Sequence, residues 1–404
     1  MKNPYHERAP AFDAAAINGV IQRALASAGL DTTKGPLRGV TETIRRALAA
    51  RGMAETPPRF DDESVVDVVA RIVPTAQDGQ AVPTRGPRAG GVPRTGSFES
   101  REFSNRAGTR AYKVYVPAAA AAAPRAMMVM LHGCTQSADD FAAGTQMNRL
   151  ADAHGFVVVY PEQAAAANAS QCWNWFKPQD QRRDAGEPSL IAGIVGEVAQ
   201  AHATDAGRSF VAGLSAGAAM ALVLGETYPE LFAGVGAHSG LPYGSAHDIP
   251  SALVAMKGGR SGMAGLKNLP AAASTPPRKA RQAVPVIVFH GDRDHTVQQD
   301  NGAQIVHQAQ QAHAAQAGRA GAAPLRVSTQ QGVAPGGRRF SRTVHANAAG
   351  QARIECWTLH GAGHAWSGGH ASGSFTDAAG PDASAEMVRF FLALPPAGAA
   401  AAAG

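Results

Sequence analysis

At 404 residues the chain is long for one domain of roughly 100–200 residues, so two domains, or one large one with an extension, are expected. Its apolar fraction of 45% excludes a mostly disordered protein, and the lack of any run of about 18 apolar residues excludes a helical membrane span. Thirty-seven Lys and Arg against 31 Asp and Glu give a net charge of +6, spread without a basic block, so no nucleic-acid module is expected.

Behind Lys2 the stretch Met1 to Glu7 has no apolar run, so no secretory leader is expected. The expected location is therefore cytoplasmic, with an extracellular one as the alternative if export is unconventional or the start is trimmed. Residues 1–73 carry helical spacing: Ile17, Val20, Ile21, Ala24 and Leu25 make one stripe, and Leu37, Val40, Ile44 and Leu48 a second. A third apolar run, Glu63 to Val73, ends at Pro74. Residues 74–96 turn to Gly, Pro, Arg and Thr, the composition of a linker or long loop. A small helical N-terminal extension is expected in front of a periodic body.

That body is placed at residues 97–395, followed by an Ala/Gly tail over 396–404. Arg110 to Val116 alternates and stops at Pro117, as a strand does. Met127 to Leu131 is continuously apolar, the mark of a strand covered on both faces. One helix is predicted from Phe141 to His154. Strands are predicted at Phe156–Tyr160, Arg208–Ala212, Phe232–Ala237, Pro285–Phe289 and Arg353–Leu359. Helices are predicted at Ser189–His202, from Ala216 to Tyr228, and at Ala385–Leu394. Alternating strands and helices imply an α/β fold, a mostly parallel central sheet with helices on both faces.

Gly213-Leu214-Ser215-Ala216-Gly217 falls between a predicted strand and a predicted helix. In that setting G-x-S-x-G is a sharp turn that lifts a serine hydroxyl above the sheet, at a helix N-terminus. The Ala216 N–H then faces any oxyanion formed at Ser215. A serine nucleophile needs a base, and the base an orienting carboxylate. Asp292 and Asp294 compete for the carboxylate, both just after the Pro285–Phe289 strand. His364, between Gly363 and Ala365 after the last strand, is the candidate base, while His360 and His370 are expected to be loop histidines. The second oxyanion donor is expected in the loop His132-Gly133-Cys134-Thr135-Gln136, at the N–H of Cys134.

Trp173 and Trp175, two residues apart, are candidates for an aromatic wall on the substrate, with His132 a further substrate-binding candidate. Asp184 and Glu187 are expected to be solvated. Cys134 and Cys172 are a candidate disulfide; the missing leader argues for free thiols instead. Cys356 is expected to be a buried thiol in a strand. No metal site and no cofactor is implied, since the histidines lack ligand spacing and no phosphate loop is present.

Six motifs occur in order: Leu131-His-Gly-Cys-Thr-Gln136, Cys172-Trp-Asn-Trp-Phe176, Gly213-Leu-Ser-Ala-Gly217, His238-Ser-Gly240, His290-Gly-Asp-Arg-Asp294 and Gly363-His-Ala-Trp366. Together they resemble the poly(3-hydroxybutyrate) depolymerase family of esterases, over residues 97 to about 395. The resemblance implies an α/β-hydrolase fold and a triad of Ser215, Asp294 and His364. The family pattern H-G-x-x-D favours Asp294 over Asp292. The implied reaction is hydrolysis of short-chain 3-hydroxyalkanoate esters or polyhydroxybutyrate, with a feruloyl or acetylxylan type of esterase as the alternative. The unassigned residues 1–96 leave a reading of another class, a polymer-surface or granule-binding protein whose esterase is secondary.

Overall fold

In the computed structural model the described residues are 96–118, 125–259 and 283–396. The expected helical front over 1–73, nearly all of the 74–96 linker and nearly all of the Ala/Gly tail lie outside them. The body is built on one ten-stranded sheet. Its strands in chain order are β1 (Ser97–Asn105), β2 (Gly108–Val116), β3 (Arg125–Leu131), β4 (Val157–Pro161), β5 (Thr204–Leu214), β6 (Gly234–His238), β7 (Val286–Gly291), β8 (Arg326–Val333), β9 (Arg339–Ala346) and β10 (Ala352–Leu359). Across the sheet they run β1-β2-β4-β3-β5-β6-β7-β10-β9-β8. The six strands from β4 to β10 are parallel. Antiparallel hairpins flank them at each end, β1–β2 on one side and β8–β9 on the other.

The parallel strands are apolar on both faces because helices cover both. Met127, Val129 and Leu131 point to one face and Met128 and Met130 to the other. On the first face lie helices α3 (Gly186–His202), α4 (Ala216–Thr227), α5 (Ile249–Met256) and α6 (Asp300–Ala320), contributing Ile191, Ala218, Ala252 and Ile305 among others. On the second lie α1 (Ala138–Thr145), α2 (Met147–His154) and α7 (Ala383–Leu392), contributing Phe141, Leu150 and Phe390. Burial of this kind stabilises by about 25 cal/mol per Å² of apolar surface, which makes the two layers the main source of cohesion.

Several elements depart from the sequence expectation. The single helix expected from Phe141 to His154 is two, α1 and α2, because Gln146 between them takes a left-handed φ of 54°. The strand expected from Phe232 begins two residues later, with Phe232 buried in the core before it. The strands β8 and β9 and the helices α5 and α6 are additions to the expected set; α6 is too polar to show a stripe, whereas α5 did carry one in Ile249, Ala252, Leu253 and Met256 behind the Asp248 cap. β8 is exposed along almost its whole length.

The turn from β5 into α4 brings backbone against backbone. A Cβ on Gly213 would sit 2.4 Å from the Gly217 carbonyl carbon, and one on Gly217 only 2.2 Å from the Leu131 oxygen. These neighbours are backbone atoms and cannot rotate away. Gly217→Ala should therefore lower stability by about 2–3 kcal/mol, the usual cost of overpacking, read as a lower midpoint in urea unfolding. An unchanged midpoint would show that α4 does not press on β3 as described.

Candidate active site

Four neighbouring strands deliver the candidate residues to one edge of the sheet. Leu214 at the end of β5 pairs with His238 at the end of β6, His238 pairs with Phe289 in β7, and Gly291 pairs with Leu359 at the end of β10. Ser215, Asp292, Asp294, His360 and His364 thus all leave the carboxyl ends of parallel strands.

Ser215 has φ 57° and ψ −118°, a conformation that a side chain rarely adopts and that marks sites under constraint. It is held from two sides: its N–H donates to His238 O at 2.9 Å and its carbonyl accepts Ala219 N–H at 3.0 Å, starting α4. Ala216 is the first helical residue, so its N–H has no acceptor within the helix.

The loops after β7 and β10 are stitched together. Asp292 N–H donates to Leu359 O and Arg293 N–H to Ala362 O. Within this frame His364 Nδ1 lies 2.7 Å from Asp294 Oδ2. A carboxylate only accepts, so Nδ1 carries the proton and Nε2 of the neutral ring is left as the acceptor. The Asp294 side chain has no exposed surface, and its other oxygen accepts the N–H groups of Thr296 and Val297, each at 2.9 Å. Burial pushes its pKa up, but the hydrogen bond and charge of His364 and the Val297 N–H outweigh this and hold it below the ordinary value. Asp292 goes elsewhere, to His360 Nδ1 at 3.0 Å and Gly361 N–H at 2.6 Å.

Behind this pair stands His238, fully buried and stacked between Phe289 and Trp366. Its Nε2 accepts Ser367 N–H at 3.0 Å, so Nδ1–H donates to Ser239 Oγ at 3.1 Å. Burial, with the charges of His290 and His364 adding to it, lowers its pKa to about 3, so it stays neutral. It acts as a spacer between the strand ends, a role its place in the His238-Ser-Gly240 motif did not disclose.

The loop after β3 is held by a network the sequence did not reveal. Gly133 N–H donates to Gln136 Oε1 at 2.9 Å, while Gln136 Nε2 donates to Asp140 Oδ2 at 2.8 Å and Ser374 O at 3.1 Å. Asp140 also accepts the Ser374 N–H and hydroxyl. Ser137 caps α1 through the Asp140 N–H, so the spacing Ser137-x-x-Asp140 was a visible helix-start signal, but it gave no hint of the carboxylate's second use. Thr135 N–H is taken by Ser170 O and Gln136 N–H by Gly133 O. Among the described residues the N–H of Cys134, just before them, has no such backbone acceptor. Next to Ser374 stands Phe375, 47% exposed and at φ 50°, an apolar surface beside this loop.

Three expectations need correction. Trp173 is wholly buried, its Nε1 donating to His132 O at 3.1 Å, and Trp175 is only 6% exposed. Both serve the core and the loop rather than an open wall, because the chain between Cys172 and Phe176 packs inward. His132 is likewise buried, with Nε2 accepting Gln163 N–H at 3.0 Å and Nδ1–H donating to Gly133 O at 2.7 Å, so no polar atom is left for a substrate. Glu187 is buried instead of solvated: it accepts the backbone and side-chain N–H groups of Asn174 at 2.7 and 2.6 Å, and Arg110 stands 3.8 Å away. Asp184 is exposed as expected. Cys134 and Cys172 are joined in a disulfide, and Cys356 on β10 is a free thiol whose pKa burial raises to about 11.

The chain is similar to known proteins. Residues 110–328, more than half of the chain, match the family described as Esterase PHB depolymerase. The chain belongs to that family. Among curated relatives, poly(3-hydroxyalkanoate) depolymerase C of Paucimonas lemoignei is 32% identical over 243 residues, 59% of this chain and 54% of that protein. Acetylxylan esterase A of Aspergillus oryzae is 34% identical over 40% of this chain and 53% of that protein, and feruloyl esterase B of Neurospora crassa 37% over 35% and 47%. The chain thus spans about half the length of the curated relatives it matches. The structure of an acetyl xylan esterase from Aspergillus awamori superposes with a TM-score of 0.54 at 20% identity, covering 74% of this chain and all of that one. The fold is that of an α/β-hydrolase esterase.

The disulfide closes a segment with a sequence separation of 38 residues and ties the loop after β3 to the tryptophan loop. Removing the constraint should cost about 3–4 kcal/mol from chain entropy. Cys134→Ala and Cys172→Ala should lower the unfolding free energy equally, and the double variant no further. Additive losses would contradict a shared bond.

Proposed function

We propose that the protein is a serine esterase that hydrolyses carboxylic esters through an acyl-enzyme. One observation carries this reading: a buried, ionised Asp294 fixes the Nδ1–H tautomer of His364 at the sheet edge where the elbow holds Ser215. Ser215 Oγ attacks the ester carbonyl and His364 Nε2 takes its proton. Asp294 orients the ring and stabilises the imidazolium that forms. The Ala216 and Cys134 N–H groups receive the charge that develops on the carbonyl oxygen. His364 then returns the proton to the leaving alcohol, and water repeats the sequence on the acyl-enzyme.

For the substrate we assign short-chain 3-hydroxyalkanoate esters or polyhydroxybutyrate. The match to the poly(3-hydroxyalkanoate) depolymerase reaches over 59% of the chain, against 40% and 35% for the acetylxylan and feruloyl esterases. Phe375 supports the same reading, since an exposed aromatic beside the Gln136 loop suits an apolar polyester. The comparable identities to the two plant-wall esterases favour a second reading, an esterase of acetyl or feruloyl groups. The Cys134–Cys172 bond favours an oxidising compartment, and with it the extracellular alternative.

Ser215→Ala should reduce kcat on a p-nitrophenyl acyl ester by on the order of 10⁴–10⁶ while leaving the melting temperature in place, because the triad acts as a unit. The wild-type chain should release soluble products from amorphous polyhydroxybutyrate faster than it cleaves methyl ferulate or acetylated xylan. A Ser215→Ala variant retaining a tenth of its activity would overturn the mechanism. Preference for ferulate or acetylxylan would overturn only the substrate assignment.

A further inference from the structure

The described residues hold a second serine, histidine and aspartate in relay order, apart from the first set. Ser341 lies on β9, His360 follows β10 and Asp292 follows β7. Ser341 Oγ is 2.9 Å from His360 Nε2, and His360 Nδ1 is 3.0 Å from Asp292 Oδ2. Asp292 is itself fixed, since its other oxygen accepts Gly361 N–H at 2.6 Å. The carboxylate draws the ring proton to Nδ1, and the neutral ring then presents the lone pair of Nε2 to the Ser341 hydroxyl. The two relays share two loops without sharing a residue: Asp292 serves His360, and Asp294 serves His364.

We propose that Ser341 is a second nucleophile, activated by His360 and Asp292, that accepts the acyl group of small activated esters such as aryl acetates. Its surroundings set what it can do. Ser341 stands on a strand and not at a helix N-terminus, so it has no preformed counterpart to the Ala216 donor. Two cations stand nearby: Arg338, whose Nη1 donates to His360 O at 3.1 Å, and Arg293, whose charge acts on Asp292. The His360 and Asp292 side chains are 35% and 30% exposed, where His364 and Asp294 are 13% and 0%. Water screens the second relay, which limits it to esters whose leaving group needs little help. In the step, the Ser341 O–H proton passes to His360 Nε2 as the Oγ–acyl bond forms. The ester C–O bond breaks, and the departing phenoxide takes the proton from His360. Without a helix-end donor such as Ala216 among the described residues to speed hydrolysis, the acyl group stays on Ser341 and the result is a modified protein.

The test uses the full chain carrying Ser215→Ala, which removes the first nucleophile. It is treated with p-nitrophenyl acetate, digested and read by mass spectrometry. One acetyl group is expected on Ser341, forming on the order of 10²-fold more slowly once His360→Gln is added and the base is gone. Adding Ser341→Ala instead should abolish that label. Melting curves of all three proteins keep the comparison among folded chains. Absence of acetyl at Ser341 would overturn the proposal, and so would equal labelling with and without His360, which would mark Ser341 as an ordinary accessible hydroxyl.

Discussion

A carboxylate stripped of water stays ionised only where other donors replace the solvent it has lost. Asp294 is in that position. Its side chain is wholly buried, and three donors surround it: His364 Nδ1 on one oxygen and the N–H groups of Thr296 and Val297 on the other. His290 Nε2, at 3.7 Å, is already committed to Val297 O. Burial lowers the pKa of His290 below its ordinary value, and its charge is the last and smallest of the influences that hold Asp294 down. The hydrogen bond to His364 is therefore both the largest of the contacts that keep the anion and the device that sets the imidazole tautomer. The esterase reading depends on this one contact.

The elements around it can be understood as what such a contact requires. It joins loops from two strands, and the parallel pairing of β7 with β10 fixes their separation. Backbone bonds from Asp292 and Arg293 to the β10 loop add rigidity. On the other side of the elbow, the loop after β3 is pinned by Gln136, Asp140 and Ser374, and again by the Cys134–Cys172 bond. The tryptophan loop hangs from buried Glu187 through the Asn174 N–H groups. Burial and the nearby Asp180 raise the Glu187 pKa, while its hydrogen bonds from Gln163 and Asn174 oppose the rise. Preorganisation by many fixed donors is what transition-state stabilisation demands of a site.

Much of this was legible in the chain itself, for identifiable reasons. A continuous apolar run bounded by Pro and Gly signals, such as Met127–Leu131, reads as a strand covered on both faces, and the glycines flanking Ser215 between a strand and a helix read as a close turn. The choice between Asp292 and Asp294 was not available from periodicity, since both follow the same strand; the family pattern favoured Asp294, and the distance to His364 agrees with it. What sequence could not disclose was direction. Trp173, His132 and Glu187 have side chains whose usual habits point outward or toward ligands, yet each is buried and hydrogen-bonded within the chain. Long-range partners, such as Gln136 with Ser374 or Ser341 with His360, join residues that no local pattern relates.

The measurement that bears most directly on the account is the kcat of Asp294→Asn beside Asp292→Asn on the same p-nitrophenyl ester. An amide at 294 favours the wrong tautomer of His364, so a loss on the order of 10⁴ is expected there. The Asp292 carboxylate accepts from His360 and Gly361 and not from His364, so its amide should cost turnover at Ser215 roughly tenfold or less, the scale of a displaced loop. Equal losses, or a larger one at Asp292, would contradict the assignment of Asp294 as the residue that orients the base.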